Sequence, residues 1–206
     1  MAEPVLSLDA EAAIRLLMLT AAQHSHQEAL LAAAPQPRGR LRALPTSSVS
    51  HQARTQSALL RLTSIVESHV VNQLVQRVEP HFPIPRTVIV DDIYLDAEDK
   101  AISSWPAMAT AYKKWLGINL KSCPHWESIQ AMLDARNAVA HGVGELTRRQ
   151  ARKDLAQLRR LFSRIDINID GTLLKISDKA ISSASLAGRH FIEWLDNELS
   201  HITSTA

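Results

Sequence analysis

Followed for the recurrence of its apolar residues, the chain divides into helix-like segments separated by breaks rich in proline or glycine. Residues 8–34 carry leucine and alanine three and four apart, the spacing of one helix face. Pro35, Pro37, Gly39 and Pro45 then interrupt the pattern. A second helix is predicted from about Ser50 to Val78, with Leu59, Leu62, Val66, Val70 and Leu74 as its buried stripe. Pro80, Pro83 and Pro85 end it. The stretch RTVIV reads as extended, and the acidic run after it leads into a third helix at roughly 98–116, acidic side chains being favoured at the positive end of a helix dipole. After the linker GINLKSC, Pro124 stands where a first helical residue should, with Glu127 in the opening turn. That fourth helix carries Trp126, Ile129, Met132, Leu133 and Val139. A fifth is predicted over about 147–164, burying Leu155, Leu158 and Phe162 and showing its basic residues elsewhere.

The period then changes. Ile165, Ile167 and Ile169 alternate with polar residues, Asp170-Gly171 reads as a two-residue turn, and Leu174 and Ile176 alternate again. This turn sets Ile167 opposite Leu174 and Ile165 opposite Ile176. Two strands alone are barely stable, so such a hairpin must lie on the helices. A last helix, about 178–200, offers Ile181, Phe191, Leu195 and Leu199 to the core. The expected fold is all-α: a helical bundle with a small β-hairpin before the last helix. The proline-rich stretch suggests residues 1–49 as an N-terminal helix and basic loop, and residues 50–206 as the main helical domain.

Composition adds little to the fold and more to the function. A chain of 206 residues with 46% hydrophobic content can bury one ordinary core. Its net charge is only +2, but the charge is unevenly spread. No acidic residue lies between Glu28 and Glu67, while Arg38, Arg40, Arg42, Arg54 and Arg61 do. Residues 147–164 hold Arg148, Arg149, Arg152, Lys153, Arg159, Arg160 and Arg164 against Asp154 alone. Basic patches on a near-neutral protein suit nucleic acid, and equally suit solvated helix faces. The single cysteine, Cys123, excludes an internal disulfide and a cysteine-built zinc site. The opening residues lack the basic start of a signal peptide, and no apolar run is long enough to span a membrane, so a soluble cytoplasmic protein is expected.

The candidate chemistry is at residues 136–144, RNAVAHGVG. As a helix end this needs no function: a histidine meets the negative end of the dipole, and Gly142 would supply the left-handed closing residue. At 100° per residue, however, Gln130, Asp134, Asn137 and His141 form one polar stripe. Arg136 falls on the row of Ile129 and Leu133, where a core residue belongs, and a buried arginine needs a partner or a ligand. On a regular helix Arg136 and His141 point about 140° apart. Two copies of the helix about a two-fold axis could gather both pairs around one cleft.

RNAVAHG, at the end of a helix, preceded by WESIQAMLDA and followed by a predicted basic helix, resembles the signature of the HEPN superfamily. That signature is an arginine, four to six intervening residues and a histidine, usually with a polar residue such as asparagine after the arginine. The resemblance covers mainly residues 50–200, is most specific over 98–146, and leaves 1–49 unexplained. It implies a HEPN-like helical bundle that dimerises through the motif helix. It further implies a metal-independent endoribonuclease, without cofactor, acting as a toxin or phage-defence effector. Arg136 and His141 match the catalytic pair and Asn137 the polar third residue. RNA, with tRNA as one candidate, a second copy, and an antitoxin or sensor are the implied partners. Arg148, Arg149, Arg152, Lys153, Arg159 and Arg160 would hold the RNA backbone. One subgroup has a tyrosine two residues after the histidine; Val143 stands there in this chain.

Other candidates have plainer explanations. His24 and His26 are spaced awkwardly for one metal and are expected at the surface; Cys123 and His125 lack further ligands nearby. Tyr112, Trp115 and Trp126 could stack bases, but aromatics at helical spacing are more often core. Lys113 and Lys114 are expected in solvent, and Asp134 either as a surface acid or as an indirect orienter of His141. The alternative functions are a non-catalytic HEPN scaffold or nucleotide- or RNA-binding regulatory module, and a helical nucleic-acid-binding regulator.

Overall fold

The stripe expected on the second helix, Leu59, Leu62, Val66, Val70 and Leu74, is at most 1% exposed and forms the centre of the core. The computed structural model describes residues 6–33, 46–81 and 87–203. The basic residues Arg38, Arg40 and Arg42, and Pro83 and Pro85, lie outside them. Among the described residues are seven α-helices: α1 (Leu8–Ala33), α2 (Thr46–Val78), α3 (Val88–Ile102), α4 (Trp105–Trp115), α5 (Trp126–Gly142), α6 (Leu155–Ser163) and α7 (Asp178–Thr203). A single antiparallel hairpin, β1 (Asn168–Asp170) and β2 (Leu173–Lys175), precedes α7. The fold is all-α, and no described helix is long and apolar enough to cross a membrane.

Helices α1, α2, α5 and α7 enclose one hydrophobic cluster. Ala10, Ala13, Ile14 and Leu17 of α1 belong to it, so the N-terminal helix shares its core with the rest of the chain. Small residues set the close approach of these helices. A methyl group at Gly188 of α7 would sit 3.0 Å from Val66 and 3.1 Å from Leu17 side-chain carbons. Asp196 of α7, itself buried, fixes the start of α1 by accepting from the Ser7 amide at 2.9 Å and from the Ser7 hydroxyl.

Three local expectations are corrected. The stretch RTVIV does not stay extended: Thr87 caps a helix by accepting from the Val90 amide at 3.4 Å, so Val88–Val90 are its first turn. The long third helix is two, because Ser104 adopts extended backbone and caps α4, with Pro106 in the first turn where a missing N–H costs nothing. The fifth helix begins only at Leu155, where the Asp154 carboxylate accepts from the Ala156 amide at 2.9 Å. Residues 147–153 ahead of it are consecutive turns, organised by Thr147 and Gln150, and Leu155 itself is 37% exposed.

The hairpin forms one register away from that expected. Ile169 pairs with Leu174 and Asp170 with Leu173, so the turn is Gly171-Thr172 and Ile167 does not face Leu174. Gly171 takes φ +61°, the left-handed conformation a tight hairpin turn needs and glycine supplies without strain. A third segment also holds the register. The Leu146 amide donates to Thr172 O, and the Leu174 amide to Gly144 O, both at 2.8 Å. The chain leaving α5 therefore meets β2 at an isolated antiparallel bridge, Glu145 opposite Leu173.

Candidate functional site

Helix α5 carries the motif and is positioned by its buried face: Ile129, Ala131, Met132, Ala135 and Ala138. Three alanines on that face let α2 and α7 approach closely. On the other face, Trp126, Gln130, Leu133, Asp134 and Asn137 line a groove of about 1170 Å³. Helix α4 and the residues leading into it form the opposite wall, and the 147–153 turns close one side. Three of the four positions of the polar stripe, Gln130, Asp134 and Asn137, thus open into one cavity. The fourth, His141, lies one turn further, about 6 Å along the same row; it is exposed and does not line the groove.

Arg136 also lines the groove, half-buried. The core row on which it falls runs out here, since the groove replaces protein at this point of the helix. Its Nη1 donates to Asn137 Oδ1 at 3.2 Å. No carboxylate among the described residues is within ion-pair distance of Arg136. Arg136 and Asn137 are therefore brought together, and His141 is not joined to them within one chain.

The groove is positively charged. Lys113, Lys121, Arg136, Arg149 and Lys153 line it against Glu67 and Asp134. Lys153 is held by Asp134 at 3.2 Å, and Glu67 accepts from the Trp105 indole at 2.8 Å. Asp134 orients Lys153 and not His141. Of the six basic residues expected to hold RNA, Arg149 and Lys153 line the groove; Arg148, Arg152, Arg159 and Arg160 are exposed elsewhere. Lys113 is exposed as expected and still borders the cavity, while Lys121 was not foreseen at all.

Gln150 holds the basic turns against α5, and no periodicity marked it. Only 3% exposed, it donates to the Asp134 carbonyl at 2.7 Å and accepts from the Thr147 amide and hydroxyl, both at 3.0 Å. A buried amide satisfied on both sides fixes the loop that carries Arg149 and Lys153.

The helix end differs from the simple glycine closure. Gly142 is still helical, and Val143 takes the left-handed position at φ 52°, ψ 40°. A β-branched residue there is strained, and this one is 86% exposed. Gly144 follows at φ +87°, its amide bonded to Ala138 O at 3.1 Å; a Cβ there would meet the Gln56 side-chain amide at 2.4 Å.

The aromatic candidates separate. Tyr112 is fully buried and donates to Val70 O at 2.7 Å; burial pushes its phenol above the usual range. Trp115 is 37% exposed and away from the groove. Trp126 is half-buried on the groove wall beside Trp105, a residue sequence periodicity did not single out.

His24 is not at the surface. It is 5% exposed, with Nε2 2.8 Å from Asp178 Oδ1. His51 Nε2 lies 3.8 Å from the same oxygen and its Nδ1 2.9 Å from Glu28 Oε2. Arg54 grips Glu28 through Nε and, at 2.9 Å, through Nη2. Bonds from the Arg54 guanidinium, with His51 adding to them, hold the Glu28 carboxyl down at about 2. This cluster ties α1, α2 and α7 together, and both of its carboxylates have close partners. Burial raises the Cys123 thiol, and burial with the neighbouring His190 ring, 4.5 Å away between centroids, lowers His125. Among the described residues no group of three or more histidine, cysteine, aspartate or glutamate side chains is placed to hold a metal ion.

No family model, characterised protein or solved structure matches this chain in comparison.

Proposed function

We propose that the protein is an endoribonuclease of HEPN type that cleaves RNA without a metal, working as a homodimer in the cytoplasm. The observation that carries the reading is an arginine that, among the described residues, bonds only the adjacent Asn137, on the wall of a cationic groove. A guanidinium there can grip a phosphate through two N–H groups and offset the charge that develops as a fifth oxygen bonds to phosphorus. Asn137 holds the guanidinium and offers its own amide N–H to the same phosphate. The His141 imidazole, exposed at the end of α5, is suited to take the proton from a 2′-hydroxyl. That oxygen attacks the adjacent phosphorus, and the 5′-oxygen departs with a proton from a second histidine. The products carry 2′,3′-cyclic phosphate and 5′-hydroxyl ends. Since His141 stands one turn outside the groove, the second copy would bring its own motif helix alongside and complete the acid–base pair. The biological setting is that of a toxin or phage-defence effector, restrained by an antitoxin or sensor.

The position of His141 also favours a second reading. A groove with Arg136 and Asn137 but without the histidine suits a module that binds RNA or a nucleotide and does no chemistry. One experiment separates them: wild type and His141→Ala are incubated with end-labelled total tRNA in EDTA, and the new ends are mapped. Cleavage by wild type alone, leaving cyclic phosphate, is expected of the nuclease. RNA bound equally by both proteins, and cut by neither, assigns the binding module.

A further inference from the structure

The groove contains more than charge. Trp126 opens α5 and Trp105 opens α4, and both line the cavity half-buried. Their rings are 6.2 Å apart at 60°, which makes a corner with two faces. Each also packs against the fully buried Phe191, at 6.3 Å, so the corner is supported from behind. The Glu67 carboxylate holds the Trp105 indole N–H at 2.8 Å and fixes the ring's rotation. Two indoles needed only for packing would be covered; these are fixed in place and keep open surface toward the groove. Along the same helix, Arg136 lies ten residues beyond Trp126, about 15 Å further.

We propose that this corner is a subsite for an unpaired RNA base, which stacks on one indole with its edge against the other while the phosphate backbone runs along α5 to Arg136. The proposal rests on reading the groove as an RNA site and assigns its substrate class: single-stranded RNA. Stacking rewards any base with a free π-face. In a duplex the base faces are occupied by their neighbours, and only phosphates and groove edges remain to be recognised. Lys113, Lys121 and Arg149 would bind either form through phosphate, so discrimination falls to the corner.

The test uses the full chain carrying His141→Ala, with Trp115→Phe and Trp194→Phe so that emission reports only Trp105 and Trp126. Octauridylate, octaadenylate and an RNA duplex of the same length are titrated at equal phosphate concentration. Quenching by both single strands, with little by the duplex, is expected. Trp126→Leu should weaken single-strand binding about tenfold and leave duplex binding unchanged, and Trp126→Tyr should restore most of it. Equal quenching by duplex and single strand, or single strands that bind without quenching, overturns the subsite; the second result holds even if Trp126→Leu fails to fold. Failure of the nuclease reading is distinct: the His141 protein with its native tryptophans would then cut nothing, while the quenching pattern stayed intact.

Discussion

Two regions of this molecule are built from the same side-chain types and arrive at opposite states. At the corner of α1, α2 and α7, Arg54, Glu28, His51, Asp178 and His24 form a connected chain of polar contacts in which both carboxylates have close partners. In the groove, Arg136 meets only an amide, and Lys113, Lys121 and Arg149 have no carboxylate within ion-pair distance among the described residues. The first arrangement has been satisfied by folding itself. The second leaves its cations facing solvent, open to an anionic ligand. A histidine in a polar sequence therefore says little until its neighbours are known: His24 looked solvated and is buried in an ion cluster, whereas His141 is exposed at the end of an open groove.

The largest expected difference is in activity. Arg136→Ala or His141→Ala should lower RNA cleavage about 100-fold or more, while thermal stability changes by less than about 0.5 kcal/mol. Parallel melting curves and cleavage rates check both halves. An Arg136→Ala protein that melts much earlier would place this arginine with the structural charges.

Glu28→Gln should do the reverse, leaving RNA binding alone and costing about 2 kcal/mol of stability, a fall in Tm of roughly 4–8 °C. Its pH dependence follows from the depressed carboxyl. The stabilisation is fully present above the unfolded-state value near 4.5 and is lost as pH falls toward about 2. Wild type should therefore lose its margin over Glu28→Gln across that window in acid titrations followed by circular dichroism. A constant margin would mean that Glu28 acts by packing rather than charge.

Smaller and opposite in sign is Val143→Gly, which relieves the left-handed valine beside the motif. A gain of about 1 kcal/mol is expected, seen as a Tm rise of roughly 2–4 °C. If the variant is more stable and cleaves more slowly, the strain serves the groove; if it is more stable and equally active, it does not.

The smallest effect belongs to His69 of α2. Burial lowers its proton affinity against the opposing pull of Asp196 and Asp9, and its Nε2 has no hydrogen-bond partner among the described residues. Below the unfolded-state value near 6.5 the unfolded chain takes up the proton first, so stability falls as the solution is acidified. His69→Gln should make that fall shallower in Tm measured from pH 7.5 to 5. An unchanged slope would assign the loss to other groups.

How far the sequence foretold these regions depended on whether the signal was local. The core stripe of α2 and the extent of α1 were legible because burial repeats every helical turn. The polar stripe of α5 was legible for the same reason, and it led to the groove. The break at Ser103-Ser104 had a visible cue in Pro106 that the longer apolar pattern masked. The hairpin register was not local: it depends on residues 144–146 pairing from outside the hairpin. The same holds for Trp105, Lys121 and Gln150, which reach the groove only because α4, the turn at 120–122 and the 147–153 turns are brought around the same face of α5. No spacing along the chain encodes that arrangement.

That bridged segment, residues 144–146, has a consequence for how motion at the groove would be felt. It begins two residues after α5 ends, so the final turn with His141 is yoked to the hairpin and, through the hairpin, to the first turn of α7. The amides of Leu146 and Leu174 sit on the two cross-links. If a bound strand or a docking copy reshapes the end of α5, their exchange with deuterated solvent should change together, giving a latch whose opening can be timed at two named positions.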